Sequence, residues 1–160
     1  MKKFITSFAA LICVATASSA EVVKQFDFED GTYDTWKVWE GKTNQVLGAN
    51  MASKSKHALE VKTGMYFDYH NKDAKGKYTL TLDAKHVWGQ NPPIILVQYY
   101  DTKAKGLVAL KEFEMSMPKA YETVTLKFKA KAEGYHRVTI MPSRNTGGSV
   151  MIDNVKLVKE

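Results

Sequence analysis

The sequence predicts an all-β protein, a two-sheet antiparallel β-sandwich or jelly roll, and three observations carry this. From residue 21 onward apolar and polar residues alternate with period two in nearly every segment, the pattern of strands with one dry face. The helical period is almost nowhere to be found. Turn-forming breaks recur at Gly31, Gly41, Gly48, Gly64, Lys75-Gly76, Pro92-Pro93, Lys105-Gly106, Pro118, Gly134 and Gly147-Gly148, roughly 8 to 15 residues apart, which suits a sandwich.

Taken in order, Phe26 and Phe28 alternate with Asp27 and Glu29 before the Gly31 turn, and Leu59 and Val61 alternate with Glu60 and Lys62. Leu80, Leu82 and Ala84 interleave with Thr81, Asp83 and Lys85, and Val97 and Tyr99 with Gln98 and Tyr100. Val124, Leu126 and Phe128 interleave with Thr125, Lys127 and Lys129, and Val138 and Ile140 with Arg137 and Thr139. The weakly patterned stretch from Gly41 to Lys56 reads as a long loop or irregular crossover. In the last strand Val150 and Ile152 share one phase while Val155 and Leu157 take the other, which predicts a bulge at Asp153-Asn154. The first and last strands of a sandwich often lie side by side. Spacing alone reads Asp27, Glu29 and Asp30 as solvated turn residues.

The chain divides into residues 1–20 and a single domain, 21–160. Met1-Lys2-Lys3, the apolar run from Phe4 to Ala17 and the small residues Ser18-Ser19-Ala20 form a secretory signal peptide, too short and too polar for a spanning helix. Its removal takes two lysines from 23 basic residues against 17 acidic ones, so the net charge of +6 becomes 21 − 17 = +4. The expected location is therefore outside the cytoplasm, periplasmic or extracellular, with no membrane attachment after cleavage. The one cysteine, Cys13, leaves with the signal, so the mature core holds without disulfides, as a domain of this size can. Arg137 and Arg144 are the only arginines and the lysines are scattered, a poor footprint for nucleic acid.

Phe26-Asp27-Phe28-Glu29-Asp30-Gly31 with Trp36, Ala58-Leu59-Glu60-Val61, Gly76-Lys77-Tyr78-Thr79-Leu80 with Asp83-Ala84-Lys85, Arg137-Val138-Thr139-Ile140 and Ile152-Asp153-Asn154-Val155-Lys156-Leu157 follow one another along the mature chain. In order and spacing this resembles the carbohydrate-binding modules of families 4, 9 and 22. The resemblance implies a galactose-binding-like jelly roll that binds plant or algal polysaccharide without transforming it. It also implies a structural calcium ion held by Glu29, Asp153 and backbone near Lys56, oxygen ligands suited to that hard cation. Lys54-Ser55-Lys56-His57 departs from the small residues usual there.

Sugar binding needs flat aromatic faces and side-chain amides or guanidinium groups for the hydroxyls. If Leu80, Leu82, Val97, Tyr99, Val138 and Ile140 point inward, alternation sends Asp83, Lys85, Gln98, Tyr100, Arg137 and Thr139 outward, on strands the resemblance places on or near the concave sheet. Gln98, Tyr100 and Arg137 are the candidate contacts there, with Trp39 and Trp88, the latter in a loop, as stacking platforms at the rim. Trp36 reads as core, and Arg137 reads equally as the partner of a strand neighbour. Lys127, Lys129 and Lys131 read as a solvated or edge-protecting face. The basic balance predicts a preference for acidic polysaccharides. No paired-carboxylate pattern, metal-ligand spacing or Gly-x-Ser-x-Gly elbow marks an enzyme; a jelly-roll lyase would have to draw on Tyr66, Tyr100, His136 and Arg137. The sequence thus reads as a noncatalytic polysaccharide- or oligosaccharide-binding module, alone or accessory to a glycoside-degrading system. The alternative is an extracellular scaffold that kept the fold without a sugar site.

Overall fold

The computed structural model of the chain describes residues 20–33, 35–38, 44–48, 52–53, 56–71, 75–130, 134–144 and 147–160, so the signal segment lies outside the described residues except for Ala20. Among them are strands and no helix: β1 (Glu21–Phe26), β2 (Lys37–Val38), β3 (Gln45–Leu47), β4 (Ala58–Val61), β5 (Met65–Asn71), β6 (Gly76–Gly89), β7 (Ile94–Asp101), β8 (Gly106–Glu114), β9 (Glu122–Ala130), β10 (Gly134–Met141) and β11 (Gly148–Lys159). They form a six-stranded sheet ordered β3-β4-β11-β6-β9, with β1 also on β11, and a five-stranded sheet ordered β2-β5-β10-β7-β8. Every pairing is antiparallel.

The core lies between the sheets and follows the alternation. Leu80, Leu82, Val150, Ile152, Val155 and Leu157 of one sheet and Phe67, Val97, Val138 and Ile140 of the other are fully or almost fully buried. Trp36 is core, as read from the sequence, and sits edge-on to Phe26 and Phe67 with ring centroids 5.2 and 4.9 Å away. Tyr99, read as inward, is only half-buried, and its hydroxyl reaches Asp101 Oδ2 at 3.2 Å.

The terminal strands pair as read, Phe26 opposite Val155, and the bulge falls where the phase changes. Asn154 takes φ +49° there, so Ile152 and Val155 both enter the core. β1 ends at Phe26, one step earlier than the Phe/Asp alternation suggests. Phe28 stays buried by adopting φ +58° in the following turn, which leaves Asp27, Glu29 and Asp30 outside the strand. The stretch read as a crossover contains β3, paired with β4. Trp88 is not in a loop: β6 continues to Gly89 because Ser149 and Gly148 extend the ladder opposite Trp88 and Gly89. Gly147 allows it, since a Cβ there would stand 3.1 Å from Trp88 Cη2.

Candidate functional site

Alternation builds the outer face of the five-stranded sheet. Met65, Phe67 and Tyr69 of β5 and Val138 and Ile140 of β10 turn into the core, which turns Tyr66 and Asp68, and Tyr135, Arg137 and Thr139, the other way. On β7, Ile95 and Val97 face in, and Leu96, Gln98 and Tyr100 face out. Register then aligns Asp68, Arg137 and Gln98 directly across three strands. Lys37, Tyr66, Thr139, Leu96 and Glu112 form the adjacent row.

Arg137 is the hub of this face. Its Nε donates to Asp68 Oδ1 at 2.9 Å, its Nη2 donates to Tyr135 Oη at 2.7 Å, and its guanidinium carbon lies 3.6 Å from the centre of the Tyr66 ring. Hydrogen bonds in its plane and a ring against its face fix the guanidinium in one orientation. Lys37 Nζ approaches Asp68 Oδ2 at 3.3 Å. Burial pushes the Asp68 carboxyl up, but the hydrogen bonds from Arg137 and Tyr135, the Arg137 charge and the Lys37 bond outweigh it and hold Asp68 below the usual carboxylate range. Burial and the hydrogen bond to Asp68 push the Tyr135 hydroxyl up, so it stays protonated. Beside the hub, Thr139 Oγ1 donates to Gln98 Oε1 at 3.5 Å, and Tyr100 is 45% exposed. Glu112 at the row's end pairs with Arg144.

Gln98, Tyr100 and Arg137 therefore share one face, as the sequence placed them. Other expectations need correction. Asp83 and Lys85 belong to β6 in the opposite sheet, and Thr139, although on the outer side, is fully buried beneath its neighbours. Trp88 also belongs to β6; it is 54% exposed but does not join the Arg137 cluster. Trp39 lies outside the described residues. His136 faces the core, fully buried and stacked on Tyr69 at 5.2 Å, so the lyase set of Tyr66, Tyr100, His136 and Arg137 is split between two sides of the sheet. Sequence reading missed Lys37, Asp68 and Tyr135 as partners of this face; the alternation Met65, Phe67, Tyr69 against Tyr66 and Asp68 is the signal that marks β5. A cleft of about 470 Å³, lined among others by Lys24, Phe26, Asp30, Tyr33 and Trp36, lies elsewhere and shares no residue with the face.

The proposed cation ligands converge on one segment. Glu29 Oε1 accepts the backbone N–H of Lys56 at 2.8 Å and of His57 at 3.0 Å. Asp153, fully buried, accepts Ser53 N–H at Oδ2 and Asn154 N–H at Oδ1, at 3.1 and 2.7 Å. Ser53 Oγ stands between Asp153 Oδ2 and Asp83 Oδ2 at 3.0 and 2.9 Å, and Thr123 Oγ1 donates to Asp83 Oδ1 at 2.7 Å. The named groups that reach these carboxylates are N–H and O–H donors, and the single hydroxyl hydrogen of Ser53 serves only one of Asp153 and Asp83 at a time. Among the described residues no three acidic or imidazole groups come together as metal ligands. In this arrangement donors of the 53–57 segment, together with Asn154, hold the Glu29 and Asp153 carboxylates.

No family model and no curated protein matches the chain. Solved structures do. The xylan-binding CBM22-1 domain of Paenibacillus barcinonensis Xyn10C is 14% identical over 86% of this chain and 94% of its own, with a TM-score of 0.69. The family 11 carbohydrate-binding module of Clostridium thermocellum, solved with a β-1,3-1,4-mixed-linked tetrasaccharide, is 15% identical over 86% of this chain and 94% of its own, with a TM-score of 0.62. A family 16 carbohydrate-binding module is 18% identical over 83% and 96%, at 0.63. With more than four-fifths of this chain and nearly all of each module covered, the fold is that of these modules: a jelly roll of two antiparallel sheets.

Proposed function

We propose that this protein is an exported, noncatalytic carbohydrate-binding module whose ligand face is the outer side of the five-stranded sheet. The observation that carries the reading is the fixed Arg137 guanidinium, backed by Tyr66, tied to Asp68 and Tyr135, and directly opposite Gln98 with exposed Tyr100 on the same strand. A planar donor array beside an amide and an aromatic ring supplies the hydrogen bonds and the apolar surface that a polysaccharide strand requires. The ligand is a neutral chain, of the kind named for the similar structures, because Lys37 and Arg137 share Asp68 and Arg144 pairs with Glu112, which leaves this group a net charge of only 3 − 2 = +1. This shifts the acidic preference read from net charge away from this face. Asp68 and Glu112 are each ion-paired and stand three strands apart, on β5 and β8, and His136 lies in the core, so these residues form no close acid–base pair on the face, which supports binding without turnover. The structural part that the resemblance gives to calcium is filled in this reading by the donors of Ser53, Lys56 and His57. Export rests on the first 20 residues, and the module acts alone or beside a glycoside-degrading system.

The test is isothermal titration with xylan and mixed-linked β-glucan fragments against wild type, Gln98→Ala and Tyr100→Ala. Each substitution should weaken binding by roughly ten- to a hundredfold while leaving the melting temperature unchanged, as anchor truncations at other interfaces do. If a glycan array yields no ligand, or both variants bind like wild type, the scaffold reading takes its place.

A further inference from the structure

The other outer face, on the six-stranded sheet, carries an excess of positive charge. Alternation turns Lys77, Thr79 and Thr81 of β6, Thr125, Lys127 and Lys129 of β9 and Lys156 of β11 outward. Register sets Lys77 directly opposite Lys129, Thr79 opposite Lys127, and Thr81 between Thr125 and Lys156. Lys77, Lys127 and Lys129 are exposed and Lys156 is half-buried. None of these four lysines forms an ion pair among the described residues. Acids border the face without outnumbering its lysines: Glu160 Oε1 accepts Thr79 Oγ1 at 2.6 Å, exposed Asp27 lines a small cleft with Thr81 and Lys156, and Asp83 is buried under Ser53 and Thr123.

Edge protection accounts for part of this pattern only. Lysines on β9, an edge strand, discourage pairing with another chain, but Lys77 on β6 and Lys156 on β11 lie on strands paired at both sides and have no edge to guard. Two ammonium groups directly opposed across a strand pair repel one another, a cost that a bridging anion would remove. Lys127 and Lys129 are about 7 Å apart along the strand, with threonine hydroxyls of β6 and β9 alongside, so positive charge and hydroxyls alternate over a broad face.

We propose that this face is a second binding site, for an acidic polysaccharide whose carboxylate or sulfate groups pair with Lys77, Lys127, Lys129 and Lys156 and whose hydroxyls meet Thr79, Thr81 and Thr125. Nucleic acid fits it less well. The face holds no arginine for bidentate phosphate contact, and because Tyr78 and Phe128 turn into the core, binding here rests on charge and hydroxyl contacts and not on the stacking used on the other face. The protein would thus hold a neutral strand on one sheet and an anionic matrix on the other, and its excess positive charge would serve the second.

The experiment compares the wild-type protein with a Lys77→Gln/Lys127→Gln/Lys129→Gln variant and with Gln98→Ala. Probes are immobilised heparin, soluble polygalacturonate, neutral xylan, duplex DNA and phosphatidylcholine/phosphatidylserine vesicles. Wild type should bind both acidic chains, more weakly as salt rises. The triple variant should elute from heparin at lower salt and lose roughly tenfold or more in affinity for polygalacturonate, with melting temperature and xylan binding unchanged. Gln98→Ala should show the converse. The proposal falls if wild type binds neither acidic chain, if the triple variant binds both as wild type does, or if DNA or vesicles bind more tightly than the polysaccharides with the same dependence on the lysines. Failure of every protein to bind xylan, with acidic binding still lost in the triple variant, would remove the first function and leave this one standing.

Discussion

Replacing Arg137 with alanine removes two short charge-assisted hydrogen bonds and a guanidinium–ring contact in one step. Hydrogen bonds to charged groups contribute about 1.5–3 kcal/mol each when buried, and a cation over a ring about 0.5–1 kcal/mol. The Arg137 and Asp68 side chains retain 21% and 16% exposure, and Lys37 remains at 3.3 Å to carry part of the Asp68 charge, so the sum must be discounted. The expected loss is about 2–3 kcal/mol, or roughly 6–12 °C in Tm for a domain of this size. Calorimetry on wild type, Arg137→Ala, Asp68→Asn and the double variant separates the pair from the rest, with an expected coupling of about 1–2 kcal/mol. The pH dependence has a fixed sign. Asp68 is held below its unfolded value, so its contribution is complete above the ordinary carboxylate pKa of about 3.9 and is lost as pH falls through the lower folded value. Wild type should therefore outlast Asp68→Asn at pH 7 and lose that advantage below about pH 4. A coupling near zero, or an equal Tm gap at pH 7 and pH 3, would refute the hub.

Trp36→Ala should cost about 3–5 kcal/mol through the cavity left among Phe26, Phe28 and Phe67, and a Tm like that of wild type would show the residue is not core. Asp153→Ala should destabilise by about 1–3 kcal/mol because the half-buried backbone N–H groups of Ser53 and Asn154 lose their acceptor. Wild-type melting curves in calcium and in chelator should coincide; a higher Tm in calcium, abolished by Asp153→Ala, would show that an ion stabilises the folded state after all.

Alternation along the chain by itself determined which residues of each strand face the core, because the side-chain period of a strand is two whatever it pairs with. It therefore read Gln98, Tyr100 and Arg137 as one side of their strands, and it located the bulge at Asp153-Asn154, since only an added residue can move Val155 into the phase of Ile152. It could not say which strands are neighbours. Asp68 meets Arg137 across 69 positions of sequence, and Lys77 meets Lys129 across 52 (129 − 77). Pairings at that separation are selected by how two sheets jointly bury their apolar faces, a property of no single segment. The same step decided that Trp88 and Asp83 lie across the sandwich from Arg137, and that the carboxylates near the chain ends grip the segment around Ser53 and Lys56. Each strand's pattern told it which side to bury; only the assembled sheets determined what its exposed side would stand beside.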